Sequence, residues 1–207
     1  LNVSFGQEYE VKSCAFNSGY NDFGPTFYDN QILFCSDKKV HTAINWLDAT
    51  GNYPSGIYLA ESSTSINSDL LSPEFLNKLN TGPAFFDKKN QTLWFSRTIM
   101  SGSKRVQGLF YVTKQNSTWS ELIPFVHNSD DNEFSLGYPF ISEDGKYLYF
   151  ASDMPSGLGG KDLYRCERQE NGWSIPENLG PEINTIKNEI SPYLDPTGKL
   201  YFASDLE

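Results

Sequence analysis

Apolar and polar positions alternate in short bursts along this chain, and the bursts recur. The clearest runs from Tyr138 to Asp153, Tyr-Pro-Phe-Ile-Ser-Glu-Asp-Gly-Lys-Tyr-Leu-Tyr-Phe-Ala-Ser-Asp. Pro139 to Ser142 reads as a short strand, with Pro139 at its start because proline cannot donate to a ladder. Asp144-Gly145 reads as the tight turn of a hairpin, since glycine accepts the positive φ that a two-residue loop needs. Tyr147 to Ala151 is a run of strong strand formers. It is apolar on both faces, which predicts a strand enclosed between stacked sheets. Ser152 and Asp153 end it with side chains suited to bonding their own backbone.

The same pattern occurs three more times. Pro25 to Tyr28, a turn at Asp29-Asn30 and Ile32 to Asp37 form the first copy, with a third strand at Gly56 to Ala60. Pro83 to Phe86, a turn at Lys89-Asn90 and Thr92 to Arg97 form the second, followed by Leu109 to Val112 and Trp119 to Leu122. The third copy continues through the glycine-rich loop Met154 to Lys161 into Asp162 to Cys166 and Gly172 to Pro176. The fourth holds Pro192 to Asp195, a turn at Thr197-Gly198 and Leu200 to Asp205. Each turn offers Gly or Asn for the positive φ.

Superposed, the copies align Pro25, Pro83, Pro139 and Pro192, and likewise Phe34, Phe95, Phe150 and Phe202. A spacing of about 50 to 60 residues is that of a repeat array. A four-stranded unit apolar on both faces must be covered by its neighbours. The reading is an all-β chain, a β-propeller of four-stranded antiparallel blades with about three and a half blades present. The blades fall near 21–79, 80–130, 131–187 and 188–207. Four matching hairpins argue against a β-sandwich. The strand-like run Tyr9 to Phe16 is expected to supply one strand missing from the fourth blade.

Composition agrees with many strands and turns: of 207 residues 15% are aromatic, with Gly 16 and Pro 11. The net charge of -10, without any Lys/Arg cluster, argues against nonspecific nucleic-acid binding. No apolar run is long enough for a membrane-spanning helix. The three cysteines, Cys14, Cys35 and Cys166, have no metal-ligand spacing. Buried free thiols are expected, and a Cys14–Cys35 bridge would need touching strands.

Asp144 to Asp153, with Gly157-Leu158-Gly159-Gly160-Lys161-Asp162-Leu163-Tyr164 after it, resembles the WD40-like repeat of the TolB propeller superfamily. Trp173 to Gly180, Ile183-Asn184-Thr185 and Asn21 to Pro25 narrow the resemblance. They are similar to propellers of Bacteroidota envelope proteins that also carry an OmpA-like peptidoglycan-binding domain, some of them lipoproteins of the type IX secretion system. The resemblance spans nearly the whole chain and is strongest over 135–205. It implies a binding or scaffolding module in the periplasm or at the outer membrane, with envelope proteins as partners. It implies no catalytic residues. No OmpA-like domain lies in these residues, so peptidoglycan is reached only through a domain absent here. The second copy departs from the pattern, with Arg97 where the others have Ser36, Ser152 and Ser204.

Several constellations bear on chemistry. Asp153 and Asp162 flank Gly157, Gly159 and Gly160, and two carboxylates with loop carbonyls suit Ca²⁺; the same residues equally suit turn caps. No other cofactor is expected. His41 and His127 are the sole histidines, and no Gly-x-Ser-x-Gly elbow accompanies them. Ser142-Glu143-Asp144-Gly145 matches a sialidase-type box only in part. Trp94 reads as core, and Trp119 and Trp173 as packing between blades. Trp46, in the polar insertion 38–55, reads as an exposed partner anchor with Tyr53 and Tyr58. A noncatalytic protein-binding module is expected; a carbohydrate-active or carbohydrate-binding propeller is the alternative, with paired acids doing the work.

Overall fold

The computed structural model describes residues 12–39, 47, 53–75, 79–101, 103–131 and 133–205. They form four antiparallel sheets in chain order. Sheet 1 comprises β1 (Asp22–Tyr28), β2 (Gln31–Ser36), β3 (Gly56–Ala60) and β4 (Asp69–Leu70). Sheet 2 comprises β5 (Thr81–Asp87), β6 (Thr92–Ser101) and β7 (Lys104–Gln115), with β8 (Thr118–Trp119) and β9 (Ile123–Pro124) both on β7. Sheet 3 repeats this plan with β10 (Leu136–Ile141), β11 (Tyr147–Ser152) and β12 (Asp162–Gln169), with β13 (Gly172–Trp173) and β14 (Glu177–Asn178) both on β12. Sheet 4 pairs β15 (Glu189–Leu194) with β16 (Leu200–Ser204).

The first strand of each later sheet packs against the first three strands of the sheet before it. The two-residue period of β6 shows how this is done. Leu93 and Phe95 enter a core with Tyr28, Leu33, Ile57 and Phe86, between sheets 1 and 2. Trp94 enters the core with Leu109, Leu136, Leu148 and Phe150, between sheets 2 and 3. Trp119 and Trp173 seal these layers at equivalent places, Trp119 against Tyr28 at 6.3 Å and Trp173 against Trp94 at 5.8 Å. The outer face of sheet 1 is covered by Phe16, stacked on Phe34 at 4.6 Å. Residues 12–16 therefore cap sheet 1 without joining a ladder, and add no strand to sheet 4; residues Tyr9 to Val11 lie outside the described residues.

The prolines stand inside the strands, not at their starts. Each first strand carries a β-bulge around its proline, between Phe23 and Thr26, Thr81 and Ala84, Gly137 and Phe140, and Ile190 and Tyr193. The residue before the proline takes positive φ in all four: Gly24, Gly82, Tyr138 and Ser191. A bulge leaves a residue outside the ladder, so the missing N–H breaks no pairing there.

The turns differ from expectation too. Asp144-Gly145 is not a two-residue hairpin. The loop spans 142–146, closed by Gly145 N–H to Ser142 carbonyl at 2.7 Å. Asp144 Oδ1 accepts from Ser142 Oγ at 2.6 Å and Lys146 N–H at 2.9 Å. Asp195 heads the equivalent turn, accepting from Thr197 and Lys199. In the first two copies positive φ falls on Asp29 and Gln91, not on the neighbouring asparagines. Asp153 bonds Ser135 N–H, at the head of β10, and not its own backbone; Asp37 and Asp205 hold Asn21 and Asn188 the same way.

These bonds set an acid limit. Asp144 and Asp195 are held below the usual carboxylate range, first by the Ser142 and Thr197 hydroxyls, and Asp205 by the Asn188 side chain. Burial alone would raise Glu189, but donors on Thr185 and Ser204 outweigh it and the net shift is downward. A carboxyl with a depressed folded pKa contributes stability above its unfolded value and loses it as pH falls through the folded value. Stability is expected to hold from about pH 7 to about pH 5 and to fall below about pH 4. Thermal melts across this range check it, and Glu189→Gln should remove part of the fall; an unchanged midpoint at about pH 3 would contradict it.

Candidate functional site

The regular bulges bring the four first strands side by side along one groove. A cavity of about 340 Å³ is lined by Pro25, Pro83, Pro139 and Pro192, with Phe140 and Tyr193 beside them. It adjoins a second of about 370 Å³ walled by Phe27, Phe85, Phe140 and Tyr193. Aromatic rings step along this wall: Phe85 to Phe140 at 4.8 Å, Phe140 to Tyr193 at 5.3 Å, Tyr193 to Tyr201 at 6.3 Å. Phe27 is 74% exposed and Tyr193 51%, so two rings face solvent at the mouth.

Charged groups mark the groove's ends. At one, Lys88 pairs with Asp29 at 3.5 Å, and Lys89 donates to the Asp144 carbonyl. Asp87 also lines this mouth, but it is buried and engaged by Asn90 N–H at 3.1 Å, Asn90 Nδ2 at 2.7 Å and Arg168 at 3.2 Å. Glu143 is exposed there. At the other end Lys161 lies over the Tyr138 ring at 5.4 Å and donates to Gln107 Oε1 at 3.2 Å. Burial lowers the Lys161 pKa against the pull of Asp153, and burial raises that of Tyr138.

Of the residues expected to bind a partner, the described Tyr53 and Tyr58 do not line this groove. Trp46 lies outside the described residues, as does His41. Tyr53 is half-buried. Tyr58 is not a surface anchor: it is 3% exposed, packed on Phe34 at 5.9 Å and covered by Lys38 Nζ at 4.0 Å. Burial pushes its hydroxyl up to about 12. Its place on β3, alternating with Ile57 of the inter-sheet core, puts it on the face that Phe16 covers.

Asp153 and Asp162 serve as separate caps. Asp153 Oδ1 takes Ser135 N–H, while Asp162 Oδ2 takes Leu158 N–H at 2.6 Å and Asn178 Nδ2 at 2.7 Å. Among the described residues no three His, Cys, Asp or Glu side chains gather as a metal site. His127 bonds the Ser174 carbonyl at 2.9 Å and packs on Phe125. All three cysteines are free thiols, and burial pushes Cys35 and Cys166 up to about 12. No described helix is long and apolar enough to cross a membrane.

The groove was open to sequence reasoning through one signal. Thr26, Ala84, Phe140 and Tyr193 each follow an aligned proline, so equal register forces them onto a shared surface. No family model matches the chain, and no curated protein matches it.

Proposed function

We propose that this chain is a noncatalytic β-propeller module that binds a protein partner at the cell envelope of a Gram-negative bacterium. The observation that carries this reading is the convergence of four equivalent bulged strands, prolines inward, on one aromatic-walled groove. Sheets stacked in chain order with first strands innermost are what successive blades require. The mouth offers exposed rings rimmed by charge, the make-up of a binding hot spot. Asp87 is spent on Asn90 and Arg168, and Asp29 pairs with Lys88, which favours binding over hydrolysis. The TolB-like repeat resemblance supports a periplasmic or outer-membrane setting, with type IX secretion as one context. The acidic surface argues against nucleic acid.

The exposed Phe27 and Tyr193 rings also suit a sugar face, so carbohydrate binding is the second reading. The test uses Phe27→Ala with Tyr193→Ala. Both side chains are largely in solvent, so the double variant should melt within about 3 °C of the parent. Capture of an envelope protein by the immobilised chain, quantified by mass spectrometry, should fall at least about tenfold. Unchanged capture removes the groove from the reading. Saturable glycan binding without turnover would replace the protein partner by a carbohydrate, and glycan cleavage would end the noncatalytic assignment.

A further inference from the structure

Asp162 opens β12 and is 0% exposed. Its Oδ2 has two donors, but its Oδ1 has no protein partner. Ser152 stands directly across the β11–β12 ladder from Asp162, and Tyr164 follows two residues along the same face. Ser152 Oγ and the Tyr164 hydroxyl are also buried without a protein partner. Three orphaned oxygens thus share one face of sheet 3, the face whose Phe150, Tyr164 and Cys166 enter the core against sheet 2. Gly157 packs close to two of these residues, Asp162 and Tyr164. A Cβ at Gly157 would lie 2.9 Å from Asp162 Oδ2 and 3.2 Å from both the Tyr164 hydroxyl and the Met154 carbonyl.

A carboxylate sealed from water needs a counter-charge, and each orphaned oxygen beside it adds a desolvation penalty. Among the described residues no Lys, Arg or His pairs with Asp162. We propose that this pocket holds one monovalent cation, sodium by size, on Asp162 Oδ1, Ser152 Oγ and the Tyr164 oxygen, with the Met154 carbonyl within reach. One carboxylate and neutral oxygens balance a single positive charge. Calcium takes six to eight oxygens and favours several carboxylates, and Asp153 is committed to Ser135. The close packing of Gly157 favours sodium over the larger potassium. The cation would tie the loop 154–161 to β11 and β12, whatever the groove binds.

The test is thermal melting in sodium, potassium and tetramethylammonium chloride at equal ionic strength. Sodium should raise the midpoint by about 3 °C or more over tetramethylammonium and saturate, with potassium giving less. Tyr164→Phe, which removes one hydroxyl from a buried ring, should lose most of the sodium-specific rise, and Asp162→Asn all of it. Should Asp162→Asn fail to fold, Tyr164→Phe and the salt series on the parent still decide. Equal midpoints in the three salts would overturn the proposal in favour of an ordered water. A rise with calcium chloride and none with sodium would overturn the monovalent assignment.

Discussion

Phe150→Ala lowers the stability of the folded chain by about 3–5 kcal/mol, while Phe202→Ala, at the equivalent position of sheet 4, lowers it by about 1 kcal/mol or less. The two phenylalanines occupy the same place in the repeat and differ in what covers them. Phe150 is 0% exposed, stacked on Tyr164 at 6.0 Å and met by Phe125 at 5.9 Å. Its removal leaves a cavity between two rigid sheets that cannot close without moving a strand. Phe202 is 36% exposed, and β16 has only β15 as a ladder partner. Urea melts of both variants measure the difference. Equal losses would mean that another layer covers sheet 4 in solution.

Gly82→Ala is the second large effect, with an expected loss of about 2–5 kcal/mol. Gly82 is the bulge residue of β5, with φ of 108°. A Cβ there would lie 2.2 Å from Cys35 Sγ, and Cys35 is fully buried in the core between sheets 1 and 2. The equivalent residues Tyr138 and Ser191 sit at 58° and 57°, where L side chains are tolerated. Gly24, at 59°, shares that region, and its Cβ would meet Pro83 Cβ at 3.0 Å. Gly24→Ala should therefore lose clearly less than Gly82→Ala. The same melts decide, and comparable losses would show that the bulge φ, not the Cys35 contact, sets the constraint.

How much of this was legible in the residues follows from what each signal reports. The strands were, because Tyr147 to Ala151 and its relatives are apolar on both faces, and only layered sheets satisfy that. Trp94, Trp119 and Trp173 were placed correctly, since their positions repeat with the strands. The bulges were not. Proline announces that it cannot donate to a ladder, yet whether a strand ends there or bulges depends on the sheet behind it. Tyr58 was expected at the surface although Ile57, Leu59 and Ala60 beside it are apolar; its cover comes from Phe16, far back along the chain. The groove is invisible locally: its wall takes one or two residues from each repeat. The orphaned trio of Ser152, Asp162 and Tyr164 needs β11–β12 register, which composition does not contain.

The connections between second and third strands share one end of the sheets, away from the short first turns. They span residues 37–55, 102–103 and 153–161, so the same junction accepts very different lengths. Loop closure becomes only slowly more costly, by about 0.6 kcal/mol per doubling of length. A guest peptide spliced between Ser101 and Lys104 would extend the β6–β7 hairpin beyond its last ladder pair. The other two connections are tied to the sheet that follows, Ser55 to Thr81 and Gly160 to Lys187, which leaves the short β6–β7 turn as the natural place for display.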